Sequence, residues 1–176
     1  MKYKEEVNKA MKILAEDPRV LFLGQTVAYP GSIIYTSLEG IPMDKRIELP
    51  VFEDTQMGIS IGLSLLGYIP VSIYPRFDFL LLAVNQLVNH LDKIEEMSCG
   101  QYKPKVIIRT CIGSTNPLNP GLQHCQDYTE AFRQMLTSVV VVKLDKAKYI
   151  LPSYTVALKW EGSTILVEVA DNYNEK

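Results

Sequence analysis

The sequence has few of the residues on which small secreted or metal-bound proteins depend. Its three cysteines, Cys99, Cys111 and Cys125, form no C-x-x-C pair and leave one over, which argues against a disulfide framework or a thiolate zinc site and points to a reducing, cytoplasmic setting. There are only two histidines, His90 and His124, too few for an imidazole metal site without several carboxylates around them. No apolar run approaches the ~20 residues of a membrane-spanning helix, and the start M-K-Y-K-E-E-V is charged and amphipathic, without the apolar core of a signal peptide. Basic runs are also missing. The net charge of −2 is spread over mixed signs, so neither a nucleic acid nor a membrane is expected as a partner.

Common catalytic signatures are absent as well. No G-x-G-x-x-G follows the apolar run Val20–Leu23, Gly62-x-x-x-x-Gly67 is followed by Tyr68 where a P-loop needs lysine, and no G-x-S-x-G elbow occurs. No internal repeat or low-complexity segment divides the chain. Its 176 residues, 47% hydrophobic, suit one domain over residues 1–176 with a substantial core.

What is present is an alternation of strand and helix patterns. Tyr3 to Glu16 puts Val7, Ala10, Met11 and Leu14 on one helical face and stops at Asp17-Pro18. Val20–Leu23 reads as a buried strand ending at Gly24, and Gln25 to Glu39 as a loop. Ile47–Leu49 is a short strand, Asp54 to Leu66 a helix, and Ile69 to Tyr74 a strand. Phe79 to Met97 reads as the longest helix, with Leu80, Val84, Leu87, Leu91 and Ile94 as one stripe and Leu81, Ala83 and Val88 widening it toward a second surface. Val106 to Thr110 is a strand, Gly113 to Gly121 a turn-rich loop and Gln126 to Leu136 a helix. Val139 to Leu144 is a buried strand, Lys146 onward a helix interrupted by Pro152, and Thr164 to Val169 the last strand. Such alternation predicts a parallel α/β sheet with helices on both faces.

The stretch from Arg46 to Pro70 is the most informative. A short strand ends at Pro50, a carboxylate follows at Glu53, and a helix then carries Gly58 and Gly62 on one face. Each helical glycine costs about 1 kcal/mol against alanine, so a neighbouring element or a ligand is expected to approach that face closely. On the residues alone Glu53 has two readings: a helix-start cap, or an acid at the carboxyl edge of the sheet, where α/β folds place their ligands.

The run I-E-L-P-V-F-E-D-T-Q-M-G-I-S-I-G-L-S-L-L-G-Y-I-P-V resembles a segment of the thiamine diphosphate-dependent transketolase-like family. That segment reads roughly D-T-P-I-x-E-x-x-x-x-G-x-A-x-G-x-A-x-x-G-x-x-P-V, and the closest branch is the beta subunit of the pyruvate and branched-chain 2-oxoacid dehydrogenases. Three further runs follow in order. Y-P-R-F-D-F-L-L-L-A-V-N-Q-L-V-N-H resembles the family's F-x-D-F-x-x-x-A-x-D-Q-I-x-N-H, with Asn85 in place of an aspartate. M-S-C-G-Q-Y-K-P-K-V-I-I-R resembles M-S-G-G-x-x-x-x-P-x-V-x-R, with Cys99 in place of a glycine. G-L-Q-H-C-Q resembles Q-H-S-Q.

The resemblance implies a three-layer α/β/α sandwich with a mainly parallel sheet, the fold that binds the pyrimidine end of thiamine diphosphate. It implies that Glu53 hydrogen-bonds the aminopyrimidine ring and activates the cofactor, that Phe79 stacks on that ring, that Val51 lies against the cofactor, and that His124 faces the reacting substrate. Without the resemblance, Phe79 is equally a core phenylalanine and His124 a polar helix-start residue. The family holds the diphosphate through Mg2+ with a G-D-G sequence and a later asparagine, and this sequence has neither. A diphosphate-binding alpha-type partner chain is therefore expected to hold the metal, in an alpha2beta2 heterotetramer or around a homodimer of this chain. The chain ends at Lys176, and the family's further carboxy-terminal domain is expected to be absent.

The function implied is the pyrimidine-binding subunit of a two-chain enzyme that makes or breaks a carbon–carbon bond next to a carbonyl. Its substrate would be a 2-oxo acid or a ketose, in a decarboxylase, ligase or transketolase-like reaction. A beta-type subunit of a 2-oxoacid dehydrogenase and a non-catalytic structural or regulatory paralogue are the alternatives.

Overall fold

A computed structural model describes residues 2–116 and 118–174. In chain order it contains α1 (Tyr3–Glu16), β1 (Val20–Gly24), α2 (Ile33–Ser37), β2 (Arg46–Glu48), α3 (Glu53–Leu65), β3 (Ile69–Tyr74), α4 (Phe77–Leu80), α5 (Ile94–Met97), β4 (Ile107–Ile112), α6 (Thr129–Met135), β5 (Val140–Leu144), α7 (Ala147–Lys159) and β6 (Thr164–Val169). The strands form one sheet in the order β2-β1-β3-β4-β6-β5, and each of the five pairings is parallel.

Side chains alternate across the strands, and the two faces gather two cores. Ile107 and Leu166 join Val7, Met11 and Leu14 of α1 and Ile150 and Tyr154 of α7 on one face. Ile108, Ile165 and Val167 join Met57 of α3, Phe77, Leu80 and Leu87, and Phe132 of α6 on the other. Helices cover both sides, so the chain is a three-layer α/β/α sandwich, as the alternating pattern predicts.

The segment after β3 differs from the expectation of one long helix. It runs as α4, a 3-10 turn over Leu81–Ala83, a π-helical turn over Gln86–Leu91 and then α5. Of the predicted stripe, Leu80, Leu87 and Leu91 are buried and Val84 and Ile94 half-buried. An apolar repeat at three- and four-residue steps does not distinguish an α-helix from one with a wider turn inserted. The π turn closes with Asp92 N–H donating to the Leu87 carbonyl (2.9 Å), and it delivers Asp92 into the interior. There the carboxylate accepts from the backbone N–H groups of Thr137 (3.0 Å), Ser138 (2.8 Å) and Val139 (2.9 Å), pinning the turn that leads into β5. Burial opposes that charge, but Lys93 and these amides outweigh it and hold the carboxyl far below the usual range.

Four smaller expectations are also corrected. The loop after β1 contains α2, capped by Ser32 Oγ, which accepts from the Tyr35 N–H (3.0 Å). The helix expected from Gln126 starts at Thr129, where the Asp127 carboxylate accepts from the Thr129 N–H (2.9 Å). β5 lies at the sheet edge with Val140 exposed, because β6 inserts between it and β4. Pro152 sits inside a continuous α7: the fully buried Ile150 and Tyr154 flank it, and that packing offsets the roughly 3 kcal/mol a helical proline costs.

One buried feature had no sequence signal. Arg109 of β4 and Glu168 of β6 form a two-bond ion pair (2.9 and 3.0 Å). Ser37 Oγ (2.7 Å) accepts from the same guanidinium, and the Tyr154 hydroxyl donates to Glu168 (2.7 Å). Cys99, standing where the resembling family has glycine, adopts φ 53°, the left-handed region that glycine occupies without strain.

Candidate active site

The strand order reverses between β1 and β3, and in parallel sheets ligands bind at such a switch point, beyond the carboxyl ends of the strands. A cleft of about 550 Å³ lies there. It is lined by residues that directly follow strands: Gln25 and Thr26 after β1, Pro75 and Arg76 after β3, Ser114 after β4 and Ala170 after β6. Phe79 and His124 add to its wall, with Ser32, Ile33 and Ile34 at the start of α2 and Tyr173.

Close backbone packing shapes this rim. Gly24 ends β1 at φ 148°, and a Cβ there would meet the Ile73 carbonyl at 2.3 Å. Glu48, at the end of β2, accepts from the N–H groups of Thr26 (2.6 Å) and Ala28 (2.8 Å), which holds Thr26 at φ 60°. Across the cleft, Asp171 accepts from Ser114 Oγ (2.7 Å) and from the Thr115 N–H (2.8 Å) and Oγ1 (2.9 Å). The Ser114 hydroxyl and these partners hold the Asp171 carboxyl below its ordinary range.

Glu53 begins α3 at the carboxyl rim and is buried. Its Oε1 accepts from Gln25 Nε2 (3.2 Å), and its backbone carbonyl accepts from the Tyr74 hydroxyl (3.2 Å). Gln25 also lines the cleft, so one side chain joins Glu53 to the open space. Three residues on, Gln56 donates to Ser72 Oγ (3.1 Å) and the Ile73 carbonyl (3.0 Å), while its own carbonyl oxygen is buried without a partner.

Phe79 and His124 come from elements 45 residues apart in sequence and meet edge to face, ring centroids 5.5 Å apart at 85°. His124 Nδ1 is buried without a hydrogen-bond partner, and the His124 carbonyl packs directly on Gly113. Glu53, Phe79 and His124 therefore gather at one rim. Val51 does not line the cleft: it is 70% exposed in the turn between β2 and α3. Gln25, Arg76 and Ser114 are the cleft residues that sequence reasoning missed. For Gln25 and Arg76 the one signal was position, within two residues of a predicted strand end.

The glycine face of α3 is open. Nothing lies within 4 Å of a Cβ placed on Gly62, and only Gln86 Oε1 approaches Gly58, at 4.0 Å. The close approach expected from Gly-x-x-x-Gly is therefore not made within this chain. Among the described residues, no group of three or more His, Cys, Asp and Glu side chains could hold a metal ion, and no helix is long and apolar enough to cross a membrane.

No protein-family model matches the chain. It is 30% identical over 133 residues to a 3-methyl-2-oxobutanoate dehydrogenase subunit beta of Mycobacterium tuberculosis, covering 73% of this chain and 37% of that protein. It is 28% identical over 167 residues to a chloroplastic pyruvate dehydrogenase E1 component subunit beta-4 of Oryza sativa, covering 93% of this chain and 41% of that one. The chain thus spans about two fifths of the length of these relatives. A solved structure described as a split-gene transketolase, an inactive beta4 tetramer, superposes over 95% of this chain and 51% of its own, with TM-score 0.73 at 20% identity. The sheet order and these likenesses agree: the chain has a transketolase-like fold and is similar in sequence to the beta subunits of 2-oxoacid dehydrogenases.

Proposed function

We propose that this chain is the pyrimidine-binding subunit of a two-chain thiamine diphosphate-dependent enzyme, one that makes or breaks a carbon–carbon bond next to a carbonyl. The observation that carries this reading is the setting of Glu53, a buried carboxylate at the switch-point rim with one oxygen fixed by Gln25. Among the described residues its second oxygen accepts no hydrogen bond, which leaves an acceptor for a ring N–H. The unpartnered Nδ1 of His124 and the ring of Phe79 add a polar atom and an aromatic surface in the cleft that Gln25 also lines. That donor and acceptor set fits an aminopyrimidine.

When bound, thiamine diphosphate supplies the electron sink that lets a bond beside a carbonyl break or form. Glu53 holds a proton at the pyrimidine ring nitrogen and so sets the ring's tautomer. Phe79 fixes the ring plane. Val51 packs against the cofactor only if the exposed turn that carries it closes in the assembly. His124 orients or protonates the carbonyl or carboxylate of a 2-oxo acid or ketose. Mg2+ and the diphosphate fall to an alpha-type partner chain.

A partner surface is available on this side of the molecule. The open glycines of α3 lie among exposed Ile59, Leu66 and Leu82, an apolar face of the kind that interfaces cover. The relatives' names support an assembly with further subunits, either as an alpha2beta2 heterotetramer or around a homodimer of this chain. Co-purification from the native cell, followed by calorimetry with thiamine diphosphate and Mg2+, tests the reading. Tight binding by the complex and weak binding by this chain alone is the expected result. Tight Mg2+-dependent binding by this chain alone, or none by the complex, would overturn it.

A further inference from the structure

We infer that Arg76 is an anion-binding residue of the cleft, selecting molecules whose entering end carries a carboxylate or a phosphate. Arg76 follows β3 directly and immediately precedes α4, and it is half-buried in the wall of the cleft. Its stem crosses Gly113: its Cδ lies 3.3 Å from where a Cβ on that glycine would sit. A guanidinium offers five N–H donors. Among the described residues Arg76 uses one of them, Nη1 donating to the Pro75 carbonyl (2.9 Å), and it forms no salt bridge.

No aspartate or glutamate lines the cleft. Of the carboxylates around it, Glu48 bonds the backbone of Thr26 and Ala28, Glu168 bonds Arg109 and Tyr154, Asp171 bonds Ser114 and Thr115, and Glu53 bonds Gln25 through one oxygen. Asp78, two residues on, is not a lining residue; its Oδ2 is buried without a hydrogen-bond partner and joins no salt bridge among the described residues. Among its lining residues the cleft therefore holds a cation with unused donors and no carboxylate, next to the hydroxyl of Ser114 and the imidazole of His124. Arginine binds carboxylate and phosphate through charge-assisted, often paired hydrogen bonds, and in a site partly shielded from water such bonds gain strength. Half-burial makes Arg76 more than a solvated surface charge. The inference rests on the proposed function only in assigning the anion to the substrate, since binding of the anion needs no cofactor.

The test is a nuclear magnetic resonance titration of the 176-residue chain without thiamine diphosphate, using inorganic phosphate, pyruvate and the neutral pyruvamide as probes. Phosphate, pyruvate or both should shift the amide signals of Thr26, Gly113 and Ser114 and the imidazole signals of His124, while pyruvamide should not. Response to pyruvate alone identifies a carboxylate site, and response to phosphate alone a phosphate site. Arg76→Gln should weaken the response by roughly tenfold or more, and Arg76→Lys should retain part of it. Equal shifts with pyruvamide, no shifts at any accessible concentration, or an unchanged response in a folded Arg76→Gln variant would overturn the inference. The wild-type comparison of charged and neutral probes decides the matter even if the variant does not fold. Failure of cofactor binding in the assembled complex would instead count against the proposed function alone.

Discussion

The backbone carbonyl of His124 occupies the space that a side chain on Gly113 would need: a Cβ built there would lie 1.8 Å from the carbonyl oxygen. The loop that presents the imidazole can therefore seat only on a residue without a side chain. Gly113→Ala should displace His124 and cost about 1–3 kcal/mol through overpacking, read as a lower urea midpoint with altered imidazole signals. Gly62→Ala, with nothing within 4 Å of the added carbon, should raise the stability of the chain by up to about 1 kcal/mol, the helix-propensity difference.

Glu53→Gln keeps the size of the side chain and an oxygen that Gln25 can bond, but removes the proton-holding carboxyl. In the assembled complex, cofactor should still bind while proton exchange at the thiazolium carbon slows by on the order of 10²–10⁴. Phe79→Ala should instead weaken cofactor binding, and His124→Ala should leave exchange intact while impairing turnover. Exchange measured by deuterium incorporation and affinity by calorimetry separate the three roles. Exchange at the parent rate in Glu53→Gln would refute the role given to that residue.

Glu168→Gln removes the counter-charge of a guanidinium that is 1% exposed. An uncompensated buried charge costs about 3–5 kcal/mol, so the variant should unfold at markedly lower urea. Replacing Arg109 and Glu168 together by apolar residues of similar volume should cost less than either single change. Unfolding curves for the two single variants and the double variant form the cycle that checks this.

Asp92 links stability to acid. Its native carboxyl is held far below the unfolded value of about 3.9, so in acid the unfolded chain binds a proton that the native chain refuses. Stability is then complete above the unfolded value and falls as pH drops below it toward the native value. Urea midpoints measured between pH 6 and about 3 should decline, and Asp92→Asn, less stable at neutral pH, should decline less steeply.

Much of this architecture was legible in the sequence. Ile69–Tyr74 and Thr164–Val169 occur as strands at the residues predicted, because β-branched runs bounded by turn residues leave little choice of period. Glu53, Phe79 and His124 do gather at one rim, although composition alone could not have joined residues so far apart. The segmentation of the helix after β3 was hidden because its apolar spacing survives a π turn. Arg109 and Glu168 stand 59 residues apart, and nothing local to either marks the other. Gly58 and Gly62 led to an expected close contact that no surface among the described residues makes.

The position of β6 bears on how the chain acquires its structure. Among the described residues β5 has β6 as its only neighbour in the sheet, yet it precedes β6 in the chain, so during synthesis it waits without that hydrogen-bonding partner until β6 has left the ribosome. The Tyr3 hydroxyl donates to the Leu144 carbonyl across 141 residues (2.6 Å) and accepts from the Val169 N–H (3.0 Å), so the first helix is locked by the same late event. Long-range closures of this kind slow folding. A nascent chain stopped before Thr164 would leave β5 unpaired and the two cores without Leu166 on one face and Ile165 and Val167 on the other, so β6 is the strand that commits the sheet.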